Sequence, residues 1–87
     1  MKEIETRIWT ISPPAGKSIE HAVLNADEII IRNEGTNAVT INRSITLTSG
    51  EELRLGSLGG IDRTRYEFVF AAKDSNSKLG IITRTLK

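Results

Sequence analysis

Apolar and polar residues alternate along most of the chain with a period of two, which is the period of a β-strand. In the run EIIIRN, Ile29 and Ile31 share one face of an extended chain and Ile30 lies on the other. Similar runs are AVTIN at 38–42, SITL at 44–47, EELRL at 51–55, RYEFVFAA at 65–72 and LGIITRTL at 79–86. They are short and rich in Ile, Val, Thr and aromatic residues, which favours a mostly β protein.

Short polar segments containing Gly or Asn separate these runs and predict turns. Gly35, within NEGTN, can take a positive φ without steric cost, and Asn42 can occupy the left-handed region of a tight hairpin. TSGE at 48–51 resembles a hairpin loop with Gly50 at a bulge, and KDSNSK is a longer polar turn. Because neighbours joined by short turns pair antiparallel, we expect antiparallel sheets.

Two segments are less regular. SPPAGKS at 12–18 predicts a loop, because proline cannot donate a ladder hydrogen bond. SIEHAVLNADE at 18–28 fits either a two-turn helix or a strand with Ile19, His21 and Val23 on one face, and the β context favours the strand. The glycines of GSLGGIDRT indicate a flexible loop that crosses from one sheet edge to another.

A chain of 87 residues is long enough for one core, so we expect a single domain spanning residues 1–87. Seven or eight short strands in so small a domain predict a compact antiparallel β-sandwich or a partly open barrel. The segment 1–11 precedes the proline loop and is the candidate for an edge strand or an exchanged strand.

Three strands are apolar on both faces: the first, EIIIRN and the last. Either they are central strands of the sandwich, or a partner subunit covers one of their faces. Trp9 belongs either to the core or to an interface, where tryptophan often contributes much of the binding energy. The candidate interface residues are Ile4, Ile8, Trp9, Ile11, Ile30, Ile82 and Leu86.

The charge balance argues against nucleic acid as a partner. Twelve Lys and Arg face eleven Asp and Glu, so the net charge is +1, and the arginines are spread among acidic residues. A nucleic-acid binder usually carries a strong basic excess. The start of the chain has no apolar run that would form a signal peptide or a membrane span, so we expect synthesis in the cytoplasm and no membrane partner.

The chain contains few of the side chains that commonly carry catalysis or bind metals. The chain has no cysteine, which excludes thiolate zinc sites and cysteine nucleophiles, and it has one histidine, His21. No G-x-S-x-G turn marks a serine, and GSLGG lacks the Lys-Ser/Thr of a phosphate loop. Neighbouring acids such as Asp27 and Glu28 point to opposite faces of a strand. We therefore expect no catalytic residues, no cofactor, no metal site and no enzyme activity.

Residues 26–70 carry the pattern I-x-N-x-G-T-x-x-V-x-I-N, then S-G-E, then D-R-T-x-Y before an aromatic strand. In this pattern the chain resembles small β-sandwich virion proteins of tailed bacteriophages and prophages, of the head-decoration, auxiliary-capsid or fibre-associated type. The resemblance implies a structural role in the virion, self-association that is often trimeric, and contact with capsid or other virion proteins.

A carbohydrate-binding, lectin-like module is the alternative function for a small β-sandwich. Its polar turns would then form the contact set for the sugar. Sugar rings usually stack on exposed aromatic side chains, and the chain has only one Trp, one Tyr and two Phe. Three of these alternate towards one face of RYEFVF, which predicts that they are buried.

Overall fold

A computed structural model describes residues 3–13, 17–56, 59–72 and 76–86. Parts of the predicted segment 1–11 and of the predicted loops SPPAGKS, GSLGGIDRT and KDSNSK, namely residues 1–2, 14–16, 57–58 and 73–75, lie outside the described residues, as does residue 87. The described chain forms eight strands: β1 (Ile4–Ile11), β2 (Ile19–Val23), β3 (Glu28–Asn33), β4 (Val39–Ile41), β5 (Ile45–Leu47), β6 (Glu52–Gly56), β7 (Arg65–Phe70) and β8 (Leu79–Leu86). The ambiguous segment after residue 18 is therefore a strand, as the β context favoured.

The strands form two four-stranded sheets that pack as a sandwich. One sheet has the order β1-β8-β3-β6 and is called the β1 sheet; the other has the order β2-β7-β4-β5 and is called the β2 sheet. Each ladder between described strands is antiparallel. The all-β expectation is confirmed, and of its two forms the sandwich is correct. Its strand order is that of an eight-stranded jelly roll.

The core lies between the inner faces of the two sheets and follows the period-two pattern. Ile29 and Ile31 of β3 are buried, whereas Ile30 between them is half-buried on the outer face. Phe68 and Phe70 of β7 face them from the other sheet and are almost fully buried. Each such side chain stabilises the fold by about 1.5–3 kcal/mol. The other buried apolar residues are Leu24, Ala26, Val39, Ile41, Leu47, Tyr66, Leu79 and Ile81.

Most of the predicted turns carry the chain from one sheet to the other. Among the described strands, only β4 and β5 are sequence neighbours that form a hairpin, closed by the turn after Ile41. Asn42 and Arg43 in this turn have φ of 51° and 59°, as the left-handed prediction for Asn42 required. The hairpin prediction for TSGE is wrong, because β5 belongs to the β2 sheet and β6 pairs with β3 in the β1 sheet. Gly50 does have a positive φ, 83°.

Gly35 is required for a reason that differs from the sequence prediction. The described glycines with positive φ are Gly50, Gly56 and Gly59, and Gly35 is not among them. Instead, a Cβ at Gly35 would lie 2.1 Å from the backbone oxygen of Asn76. The backbone of the β3–β4 turn packs directly against the chain that enters β8, and only glycine leaves room for it.

The loop between β6 and β7 crosses from an edge strand of the β1 sheet to an interior strand of the β2 sheet. It is held at Asp62, whose N–H donates a 2.8 Å hydrogen bond to the carbonyl of Ala26. Asp27 also holds this loop, since its buried carboxylate accepts a 2.8 Å hydrogen bond from Gly59 N–H. The described part of the predicted loop is thus anchored to the start of β3.

Candidate functional site

A row of isoleucines crosses the outer face of the β1 sheet. Ile8 of β1 lies opposite Ile82 of β8, and Ile82 lies opposite Ile30 of β3. All three point away from the core, because their neighbours along the strands point inward. Ile8 is 74% exposed, whereas Ile30 and Ile82 are half-buried. The most accessible side chain of the row, that of Ile8, therefore lies on the edge strand.

A second apolar pair lies on the same face, where Ile4 is opposite Leu86. Ile4 is 44% exposed and Leu86 is half-buried. The two apolar rows together are called the outer apolar face, and its members are Ile4, Ile8, Ile30, Ile82 and Leu86. Apolar side chains grouped on an open surface commonly mark an interaction site.

A polar row separates the two apolar rows. Thr6 lies opposite Arg84, and Arg84 lies opposite Glu28. The Arg84 guanidinium donates to the Glu28 carboxylate at 3.5 Å, so this charge pair is satisfied within the sheet. Polar groups between apolar rows restrict where a partner can sit, because an apolar partner surface over them would remove them from water without offering new hydrogen bonds.

The remaining two candidate interface residues lie on the other side of the sheet. Trp9 is opposite Ile81 and Ile11 is opposite Leu79, so both point towards the core. Both are half-buried and pack against the core cluster. The Arg7 guanidinium lies 5.3 Å from the centre of the Trp9 ring, in a cation–π contact. Of the two predicted roles for Trp9, this placement corresponds to the core.

The outer edge of β1 adjoins the outer apolar face. β1 is the outermost strand of its sheet and pairs with β8 over eight residues. Each residue from Glu3 to Ile8 is exposed. An edge strand presents a row of backbone N–H and C=O groups that another strand can complete. The edge and the apolar face together form a continuous surface that suits a β-rich partner.

A groove opens between the edge strands β5 and β6, on the opposite side of the sandwich from β1. Its volume is about 260 Å³, and its apolar lining includes Ile41, Ile45, Leu53, Leu55 and Tyr66. Sequence reasoning missed it, because the two strands belong to different sheets and are joined by a turn that resembled a hairpin.

The single histidine belongs to a charge network on the outer face of the β2 sheet. His21 Nε2 lies 3.4 Å from Glu67 Oε2, and Arg43 Nε donates to Glu67 Oε1 at 2.9 Å. The hydrogen bond from Arg43 is the main reason why the pKa of Glu67 lies below its ordinary value. Glu67 is thus held as an ionised carboxylate between two basic side chains, an arrangement that joins β2, β7 and the β4–β5 turn.

A second polar contact joins Tyr66 to the β6–β7 loop, where the Tyr66 hydroxyl donates to Asp62 Oδ2. Burial and then this hydrogen bond raise the pKa of Tyr66 to about 12. The same bond is the largest cause that lowers the pKa of Asp62. Within the described ranges, no group of three or more His, Cys, Asp and Glu side chains could hold a metal ion.

No protein-family model matches the chain, and neither a curated protein nor a solved structure matches it. The part of the chain that the structure describes contains no helix long and apolar enough to cross a membrane.

Proposed function

We propose that this protein is a non-enzymatic structural protein that self-associates through β1 and the outer apolar face. The observation that carries the proposal is Ile8, which is 74% exposed although it continues an isoleucine row across three strands. A side chain of this size is worth about 1.5–3 kcal/mol when it is buried, so its exposure favours association. As the outermost described strand of its sheet, β1 offers backbone groups to the same contact.

The finer proposal is a virion component of a tailed bacteriophage, made in the host cytoplasm and assembled onto the particle. Two observations support it: the resemblance of residues 26–70 to small virion proteins, and an eight-stranded jelly-roll order, an architecture that recurs in viral capsid domains. Because a fold hosts many functions, the jelly roll supports this role by analogy only. Its partners would be further copies of itself and other proteins of the capsid.

The carbohydrate-binding alternative has less support, although jelly rolls also occur in lectins. Tyr66, Phe68 and Phe70 are buried in the core. Trp9 is half-buried, and Arg7 covers its ring. None of the four aromatic rings therefore offers an open face on which a sugar could stack. A glycan array with saturable binding that is lost in Trp9→Ala would favour the lectin.

The self-association is tested by the native mass in light scattering. We expect the wild type to be an oligomer and Ile8→Lys to shift it towards the monomer, because a charge replaces the exposed apolar side chain. The matched control is Ile19→Lys, in an edge strand of the other sheet, where the side chain is 41% exposed. This control should keep the wild-type mass. A monomeric wild type at every concentration would overturn the proposal.

The place in a virion is tested by the genes that flank this one. Major-capsid, portal and terminase genes beside it are the expected result. Neighbouring genes for enzymes of carbohydrate metabolism would instead favour the lectin alternative.

For the light-scattering test of self-association, substitution of Ile8 is preferable to deletion of residues 1–11, because the deletion also removes Trp9 and Ile11 from the core.

A further inference from the structure

The exposed half of β1 has a self-complementary sequence, Ile4-Glu5-Thr6-Arg7-Ile8. We propose that two copies pair β1 with β1 antiparallel about a two-fold axis at Thr6, which joins their β1 sheets into one continuous eight-stranded sheet. The proposal rests on the self-association proposed above and specifies its partner, strand and register.

The register follows from what the two-fold axis sets face to face. In a symmetric antiparallel pair, residues equally spaced before and after the axis lie opposite each other on the same face. With the axis at Thr6, Glu5 faces Arg7 of the second copy, and Ile4 faces its Ile8. Opposite charges, apolar pairs and threonine pairs directly opposite each other all stabilise a sheet.

The neighbouring registers lose this complementarity. An axis at Glu5 sets the two Glu5 side chains against each other and places Ile4 opposite Thr6. An axis at Arg7 opposes the two arginines and pairs Ile8 with Thr6. Like charges directly opposite each other destabilise a sheet, so the charges on β1 select the axis at Thr6.

Both charged residues are placed for such a contact. Glu5 and Arg7 lie on the inner side of β1 and are both exposed. They lie at the part of the strand that precedes the half-buried Trp9 and Ile11. The cation–π contact with Trp9 holds Arg7 along this side of the strand.

The same register joins the outer apolar faces of the two copies. The row of Ile30, Ile82 and Ile8 in one copy runs into Ile4 and Leu86 of the other, because Ile8 and Ile4 are opposite each other across the axis. A contact about a two-fold axis uses the same patch on both copies, so it joins two copies and no more. The expected particle is therefore a dimer with twice the 9.6 kDa mass of the chain, and any larger assembly requires a second contact.

The decisive experiment exchanges charges on β1. Glu5→Arg alone opposes arginines across the axis, and Arg7→Glu alone opposes glutamates. Each should raise the dimer dissociation constant by about tenfold or more, as measured by analytical ultracentrifugation at low salt. An equimolar mixture of the two variants should form a heterodimer, because arginines then face glutamates. The double variant Glu5→Arg/Arg7→Glu should dimerise as the wild type does.

A crosslinking experiment checks the register without altering any charge. The chain has no cysteine, so Thr6→Cys introduces a single thiol. The two copies of this thiol should be joined by a short bis-maleimide. Thr10→Cys is the matched control on the same strand and face. Its two copies should stay unlinked, because they would lie roughly 25 Å apart at about 3.3 Å per residue.

The outcomes separate the register from the self-association. A wild type that is monomeric overturns both proposals. A wild-type dimer whose Glu5→Arg and Arg7→Glu variants dimerise equally well overturns the register alone and leaves association through the outer apolar face. Equal crosslinking of Thr6→Cys and Thr10→Cys also overturns the register. Circular dichroism of each variant confirms that it is folded.

Discussion

The side-chain amide of Asn33 donates a 2.9 Å hydrogen bond to the backbone carbonyl of Leu47 and thereby joins the two sheets. Asn33 is the last residue of β3 and is fully buried, and Leu47 is the last residue of β5 in the other sheet. The same nitrogen donates to the carbonyl of Asn37 at 2.8 Å, and the Asn33 side-chain oxygen accepts from Gly35 N–H at 3.0 Å. One buried amide thus fixes both the β3–β4 turn and the end of β5.

Asn33→Ala should lower the free energy of unfolding by about 2–4 kcal/mol, because it removes the three hydrogen bonds that the buried side chain makes to the backbone. Urea denaturation measures the change. Asn33→Asp keeps the acceptor but loses both donors and buries a charge, so it should destabilise at least as strongly. A loss below about 0.5 kcal/mol in Asn33→Ala would contradict this role of the amide.

Gly35→Ala should be more destabilising than Gly50→Ala. At Gly35 the new Cβ would lie 2.1 Å from the Asn76 oxygen and 2.9 Å from the Lys78 nitrogen, so the backbone must move. Gly50 has no atom within 4 Å of a Cβ, and its alanine variant bears only the left-handed strain, about 1–2 kcal/mol. Thermal unfolding of both variants gives the comparison. Equal losses would mean that the close approach at Gly35 is easily relieved.

Asn42→Ala should cost about 1–3 kcal/mol of stability, because alanine tolerates the φ of 51° poorly and cannot accept the 2.9 Å hydrogen bond from Glu67 N–H. Asn42→Gly is the matched control, since glycine adopts this φ freely and loses the hydrogen bond alone. Denaturant unfolding should rank the wild type above the glycine variant and the glycine variant above alanine. An alanine variant as stable as glycine would show that the left-handed position carries no strain.

The Tyr66 hydroxyl should lose its proton only at high pH, and this ionisation should lower the free energy of unfolding. Its pKa is raised from 10.0 to about 12, so the folded state holds the phenol proton more tightly than the unfolded chain does. Its contribution to stability is therefore complete below pH 10 and is lost as the pH rises from 10 towards 12. Because Tyr66 is the only tyrosine, tyrosinate absorbance follows it directly.

Asp62→Ala tests the cause of that shift. It removes the acceptor of the Tyr66 hydroxyl but leaves the ring buried, and burial is the larger cause. The pKa of Tyr66 should fall yet stay above 10.0. A Tyr66 that titrates at its ordinary pKa in the wild type would contradict the buried, hydrogen-bonded position.

The alternation of residues by itself determined most of the strands and which residues of a strand share a face. Ile29 and Ile31 were expected on one face and are buried together, as are Tyr66, Phe68 and Phe70. This inference works because the two-residue period of a strand is a local property. The same parity set Ile30 apart from Ile29 and Ile31, but it left open which face of the first strand, that of Ile8 or that of Trp9, turns towards the core.

Only the tertiary structure decided which strands pair. TSGE was expected to close a hairpin, whereas Thr48–Glu51 leads from one sheet to the other. Glycine and asparagine permit both a hairpin within one sheet and a connection between two sheets. They allow a positive φ but do not fix the plane in which the next strand lies. β1 and β8 lie at opposite ends of the sequence, and their pairing depends on burying the inner faces of both sheets together. This pairing sets Ile8 opposite Ile82, and the pairing of β8 with β3 sets Ile82 opposite Ile30, so the row exists only in the folded sheet.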